Sequence, residues 1–233
     1  MTRRPTNARR TLGNRKSRMA VLVLASGLSI GAAWGQSLPP DYGEGLRWHQ
    51  RAAEAGLVEA QYRLALFHET GIKTEPDQAA ARYWYERAAE QGHLLSQFKL
   101  ATLLQTGTGG PADPAGAVRW YRAAADRGLP QAQYNLATLL ERGQGAEADP
   151  AMAATLYEAA ARAGISEAAP QLAVLLIDGR GIAQDRVRAL AWLILAADDA
   201  VPGAASLRDQ LTAELGPTGW SDAVARASAI RSP

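Results

Sequence analysis

The sequence contains no cysteine, so no disulfide can form and packing alone must hold the fold. Histidine is scarce as well. The three present, His49, His68 and His93, share no ligand-like spacing with carboxylates, and no metal site is expected from them. Acid is missing from the first 35 residues, where Arg3, Arg4, Arg9, Arg10, Arg15, Lys16 and Arg18 form a basic segment. An apolar run from Met19 to Ile30 follows, and small residues at Ala33 and Gly35 come after it. At about 12 to 16 residues this run is shorter than the ~20 that a membrane-spanning helix needs. Residues 1–35 therefore read as a secretory signal cleaved near Gly35, with an uncleaved anchor as the alternative.

Loss of that segment reverses the charge. Eighteen of the 25 basic residues remain against all 23 acids, so the mature chain is net negative by 5. It has no lysine- and arginine-rich face to neutralise phosphates, and nucleic acid is not an expected partner. The roughly 190 residues left are enough to bury a core as one domain.

What the chain has in abundance is repetition. Asp113-Pro-Ala-Gly-Ala-Val-Arg-Trp-Tyr-Arg-Ala-Ala-Ala-Asp-Arg-Gly128 recurs at a spacing of 36 residues. Asp113 has counterparts at Asp41, Asp77, Asp149 and Asp185, Trp120 at Trp48, Trp84, Leu156 and Trp192, and Gly128 at Gly56, Gly92 and Gly164. The unit predicts a helix with both ends marked. Asp113 can accept from the first free amides, Pro114 suits the first helical position, and Gly128 can take the left-handed conformation at the end. Between them Ala117, Trp120, Tyr121, Ala124 and Ala125 share one helical face.

A second helix completes the unit. Pro130 opens it, Ala132, Leu136, Ala137, Leu139 and Leu140 form its apolar face, and Gly143 closes it, with Gly71, Gly107 and Gly179 in the same place. Neither helix can hide its apolar face alone, so copies must stack and share one core. The fold expected is all-α, an α-solenoid of about five 36-residue helix pairs. The links Gly107-Thr-Gly109, Gly143-Gln-Gly145 and Gly179-Arg-Gly181 are read as turns needing positive φ rather than phosphate-binding loops, because the same glycines recur in three copies. In the fourth copy Leu156 replaces the tryptophan and Pro170 the aromatic of Tyr62, Phe98 and Tyr134. In the fifth the second helix, near Ala204 to Leu215, is more polar and is stopped by Gly216-Pro217. A last helix is expected from Ser221 as a cap on the open end. The organisation is thus a signal at 1–35, a linker at 36–40, the solenoid at 41–215 and a capping helix with tail at 216–233.

The segment Ala132-Gln-Tyr-Asn-Leu-Ala-Thr-Leu-Leu-Glu-Arg-Gly143-Gln-Gly145, the run Asp149-Pro-Ala-Met-Ala153 and the recurring Trp-Tyr-x-x-Ala-Ala-x-x-x-Gly resemble Sel-1-like repeats, relatives of tetratricopeptide repeats. The resemblance covers about residues 41 to 211. It implies a right-handed superhelix and an adaptor that binds a protein or peptide partner, often regulatory or concerned with the envelope in exported bacterial members. It also implies that the helix like Ala132 to Arg142 lines the concave side, so its non-core positions should form a partner-binding groove. These are Glu59, Arg63, Leu66 and Thr70; Leu95, Lys99, Thr102 and Thr106; Gln131, Asn135, Thr138 and Arg142; and Glu167, Gln171, Val174 and Asp178. Arg63 and Lys99 would place adjacent positive charge there, favouring a partner with a carboxylate.

Enzymatic readings are weaker. Ser96-Gln-Phe-Lys99 matches the Ser-x-x-Lys of penicillin-recognising serine enzymes, but Ser96 holds the small-residue position of Ala60, Ala132 and Ala168, and the Ser-Asp-Asn and Lys-Thr-Gly partners are missing. No catalytic residue and no cofactor is expected. The tryptophans at 48, 84, 120 and 192 could stack glycan sugars, but beside the alanine pairs they are expected in the core. An exported scaffold, periplasmic or secreted, is the favoured class. An envelope enzyme of β-lactam hydrolase type or a peptidoglycan-associated glycan-binding module is the alternative.

Overall fold

The computed structural model describes residues 42–71 and 75–231, with side chains from residue 45. The expected signal, the linker and the first capping residue, Asp41, lie outside the described residues. Helices α1 (Tyr42–Glu54), α2 (Val58–Thr70), α3 (Gln78–Glu90), α4 (Leu94–Thr106), α5 (Pro114–Ala125), α6 (Pro130–Arg142), α7 (Pro150–Arg162), α8 (Ala168–Asp178), α9 (Arg186–Asp198) and α10 (Ala204–Arg231) follow in order. Each packs against the next, as an α-solenoid of helix pairs requires.

The repeated aspartates do two things at each junction. Asp113 Oδ1 accepts from Gly116 N at 2.8 Å, and Asp77, Asp149 and Asp185 accept likewise from Ala80, Met152 and Arg188 at 2.8–2.9 Å. Their own amides donate back to the end of the previous helix, Asp113 N to Leu104 O at 2.8 Å and Asp149 N to Leu140 O at 2.9 Å. Side chain and backbone of one residue thus cap two helix ends, satisfying groups that helix termini leave open.

The odd-numbered helices end in the same double bond. Gly128 N donates to Ala125 O at 2.8 Å and Leu129 N to Ala124 O at 3.2 Å, with Gly128 at φ 80°. In the fifth copy Ala200 holds this place at φ 58°, and the same two bonds run from Ala200 N to Ala197 O and from Val201 N to Ala196 O. The interrepeat links also need positive φ, and their second glycine has a further constraint. A Cβ on Gly145 would sit 2.2 Å from the carbonyl oxygen of Pro114, at the first turn of α5, and Gly109 and Gly181 meet the starts of α3 and α7 in the same way. Only glycine lets that loop backbone touch the previous unit.

The core is built from alanine pairs and leucines, among them Ala88, Ala89, Ala124, Leu136, Leu139, Leu140, Leu172 and Leu190. The aromatic at its centre differs from the sequence expectation. Tyr85, Tyr121 and Tyr157 are at most 1% exposed, whereas Trp84 and Trp120 are only half-buried against the core's edge, and among the described tryptophans Trp192 is the one that is buried. The indole covers the rim of the alanine pair, while the slimmer phenol enters between helices and places its hydroxyl on a polar partner there.

The end of the chain also differs. α10 breaks at Gly216 (φ 67°, ψ −170°) and resumes at 217, four residues before the Ser221 expected, because Pro217 fits the first turn of a helix. The segment 217–231 buries Gly219, Ala223 and Ala227 and is tied to α9 and its cap by Arg226–Asp185 at 2.8 Å and Arg231–Asp198 at 3.3 Å.

Candidate partner-binding face

Helices α2, α4, α6 and α8 present the same frame four times. Leu64, Leu100, Leu136 and Leu172 are buried in register, as are Ala65, Ala101, Ala137 and Ala173, and Ala60, Ser96, Ala132 and Ala168. One residue before the leucine the identity changes in every copy: Arg63, Lys99, Asn135 and Gln171, all exposed or half-buried. A constant buried frame with one varying outer position gives a surface whose chemistry can be set copy by copy.

Of the residues expected to line a groove, Arg63, Thr70, Thr106, Arg142 and Gln171 are exposed, and Leu66, Lys99, Thr102, Asn135 and Thr138 are half-buried. The two threonines nearest the frame serve the fold. Thr102 Oγ1 donates to Phe98 O at 3.1 Å and lies 3.1 Å from the Tyr121 hydroxyl; Thr138 Oγ1 donates to Tyr134 O and lies 3.1 Å from the Tyr157 hydroxyl. Both cations expected to draw a carboxylate already have one. Arg63 pairs with Glu59 at 2.9 Å, and Lys99 Nζ reaches both oxygens of Glu69 at 2.9 and 3.1 Å. An incoming carboxylate would therefore compete with intramolecular partners. Arg142 and Gln171 have no hydrogen-bond partner among the described residues and are the donors most open to one.

Beneath this face runs a polar ladder that periodicity within single helices did not single out. Tyr85 donates to Glu69, Tyr121 to Gln105 at 2.9 Å and Tyr157 to Glu141 at 3.0 Å, each across 16 residues and each repeated 36 residues on. The recurrence of Tyr, Glu or Gln and Thr at these offsets is the signal that could have found it. In the fourth copy all three positions turn apolar together, to Leu193, Ile177 and Val174. Burial, and after it the hydrogen bond to Glu69, pushes the Tyr85 phenol far above its ordinary pKa, so it stays a donor. The carboxylates are shared with the next unit: Glu69 with Lys99, Glu141 with Arg180. An aromatic contact accompanies each rung, Tyr62 on Tyr85, Phe98 on Tyr121 and Tyr134 on Tyr157, with ring centroids 5.8–6.1 Å apart.

The Ser-x-x-Lys motif does not assemble. Ser96 is fully buried, its amide donates to His93 Nδ1 at 3.2 Å as the cap of α4, and Lys99 is held by Glu69. His93 Nδ1 lies 2.9 Å from Ser96 Oγ and its Nε2 3.7 Å from Glu59, but the serine is fully buried, away from any substrate. Among the described residues no cluster of three His, Cys, Asp or Glu side chains could hold a metal ion, and no helix is long and apolar enough to cross a membrane.

Comparison with known proteins gives a consistent picture. The Sel1 repeat family model matches residues 29–57, 58–93, 94–129, 130–165 and 166–200. The matched units pair α2 with α3 and so on, half a unit out of phase with the aspartate-led reading. The chain is similar to a protective antigen of uropathogenic Escherichia coli that displays an SLR fold, with 28% identity and a TM-score of 0.71 over 82% of this chain and 41% of that one. It is also similar to a Sel1 repeat protein from Oxalobacter formigenes, with 33% identity and a TM-score of 0.61 over 66% of this chain and 64% of that one. The chain thus spans less than two thirds of the length of either. No curated protein matches it.

Proposed function

The chain belongs to the Sel1 repeat family, generally helical scaffolds for protein interaction, and from that premise we propose that α2, α4, α6 and α8 bind a segment of a partner protein. The observation that carries this reading is the position Arg63, Lys99, Asn135 and Gln171, which changes in every copy beside a leucine and an alanine that never change. The partner would read the face mainly by hydrogen bonds from side chains such as Arg142 and Gln171, because the cations at 63 and 99 are already paired. The basic and apolar start of the sequence supports a location in the envelope or outside the cell, with the mature chain starting at about Gln36. Crosslinking and co-purification of the native protein from the envelope fraction tests both parts. A specific partner crosslinked through the face of α2, α4, α6 and α8 is expected. Crosslinks confined to the opposite helices would overturn the site, and recovery of the intact Met1 form in the cytosol would overturn the location.

A further inference from the structure

Three copies close the groove between an odd-numbered helix end and the next helix with a glutamine. Gln61 Nε2 donates to Ala53 O at 3.1 Å, Gln97 Nε2 to Ala89 O at 3.4 Å and Gln133 Nε2 to Ala125 O at 3.5 Å. In the fourth copy that place belongs to Ala169, so the Ala161 carbonyl lacks its side-chain donor and the volume of the amide is vacant. A pocket of about 210 Å³ opens there, lined by Ala161, Ala169, Trp192, Arg162, Ser166 and Asp199. The indole of Trp192 forms one wall, with the Arg162 guanidinium 5.6 Å from the ring centroid, and its buried Nε1 has no hydrogen-bond partner among the described residues.

The rim is polar but balanced. Arg162 is held by Glu158 at 3.1 Å, Arg231 by Asp198 at 3.3 Å, and Asp199 accepts from Ser166 at 2.6 Å. A charged ligand would leave one of these pairs broken, whereas a neutral group with donors and an acceptor would not. The first copy displays half of the pattern: the Gln61 carboxamide donates to a helix-end carbonyl while its oxygen accepts from Gln91 at 2.7 Å. Asp199, the counterpart of Gln91, accepts instead of donating, so in the fourth copy the donor to a carboxamide oxygen must come from Arg162. We propose that the pocket at the α7–α8 junction is a site for a primary carboxamide, a glutamine side chain presented by a peptide. Its NH₂ takes the donor role that Ala169 cannot fill, toward Ala161 O and Asp199, its oxygen faces the Arg162 guanidinium, and its methylenes lie on Trp192.

The test titrates N-acetyl-glutamine N′-methylamide into the ¹⁵N-labelled protein and follows the Trp192 indole N–H resonance, with the glutamate and norleucine analogues as comparison. A saturable shift is expected from the glutamine probe, with binding about tenfold weaker for each analogue, the cost of roughly one mispaired hydrogen bond. Ala169→Gln and Ala169→Met both fill the gap, the first with the residue used in three other copies, and both should abolish the shift while keeping the helical circular dichroism spectrum. No saturable shift in the native protein, an undiminished shift in whichever filled variant folds, or equal binding of the norleucine analogue would overturn the proposal.

Discussion

Replacing Tyr121 by phenylalanine removes one hydroxyl from the centre of the array and leaves its ring in place. The lost group donates to Gln105 Oε1 at 2.9 Å and lies 3.1 Å from Thr102 Oγ1. Leaving buried polar partners unsatisfied costs about 1–3 kcal/mol. Here Gln105 and Thr102 are half-buried and reach water, and Thr102 retains its bond to Phe98 O, so the lower end applies and the expected loss is about 1 kcal/mol. For a unit of this size that is a fall of about 2–4 °C in the melting temperature. The fourth copy supplies the control, since it replaces the same positions with apolar residues. Tyr121→Phe combined with Gln105→Ile removes both ends of the bond and should be closer to the native protein than Tyr121→Phe alone. Urea titrations followed by circular dichroism measure both. A Tyr121→Phe variant as stable as the native protein, or a double variant less stable than the single one, would refute the idea that the ladder contributes through matched polar pairs.

Ala200 holds a left-handed conformation that costs an L-residue about 1–2 kcal/mol, so Ala200→Gly should stabilise the protein in the same titrations by about 1 kcal/mol. Gly145→Ala and Gly128→Ala share a positive φ, but only the first would drive a Cβ into the Pro114 backbone; it should therefore lower the melting temperature more than Gly128→Ala, whose Cβ meets nothing within 4 Å. Trp192→Ala should cost about 3–5 kcal/mol, as for a buried aromatic, and Trp120→Ala distinctly less in parallel melts. Burial, with Arg127 adding and Glu59 opposing, holds His93 below its ordinary pKa of 6.5. Its stabilising contribution is complete above pH 6.5 in the neutral form and declines as the pH falls toward the depressed folded value, because the unfolded chain then binds more protons. Melting temperature should therefore fall below pH 6.5, and by less in His93→Leu.

Much of this architecture can be read from local pattern. The spacing of 36, the helical faces and the Asp, Pro and Gly at the ends are properties of short stretches, and the capping bonds at Asp77, Asp113, Asp149 and Asp185 follow from them. What local pattern could not rank is depth. Tryptophan and tyrosine are neighbours on one apolar face, and only the packing of three helices decides that Tyr121 goes in and Trp120 stays at the edge. Partners far along the chain were hidden for the same reason: Lys99 looked available for a ligand until Glu69, thirty residues earlier, proved to be bound to it. The last helix starts earlier than Ser221, which the 36-residue spacing from Asp185 predicts, because Gly216-Pro217 both ends one helix and begins the next. The Glu, Gln and Tyr of the ladder each look like ordinary helix residues until compared across copies.

The central claim is that the varying face of α2, α4, α6 and α8, and not the constant frame, carries the recognition. Arg63, Arg142 and Gln171 are exposed, and the one ion pair they make among the described residues, Arg63 with Glu59, belongs to a class of surface pair worth about 0.3–0.5 kcal/mol. With the captured partner in hand, calorimetric titration of the native protein and of Arg63→Glu/Arg142→Glu/Gln171→Glu, each checked by its melting curve, measures this directly. The account predicts a Kd weakened at least about tenfold in the variant, with a melting curve that overlays the native one. An unchanged Kd in a variant that melts normally would contradict it.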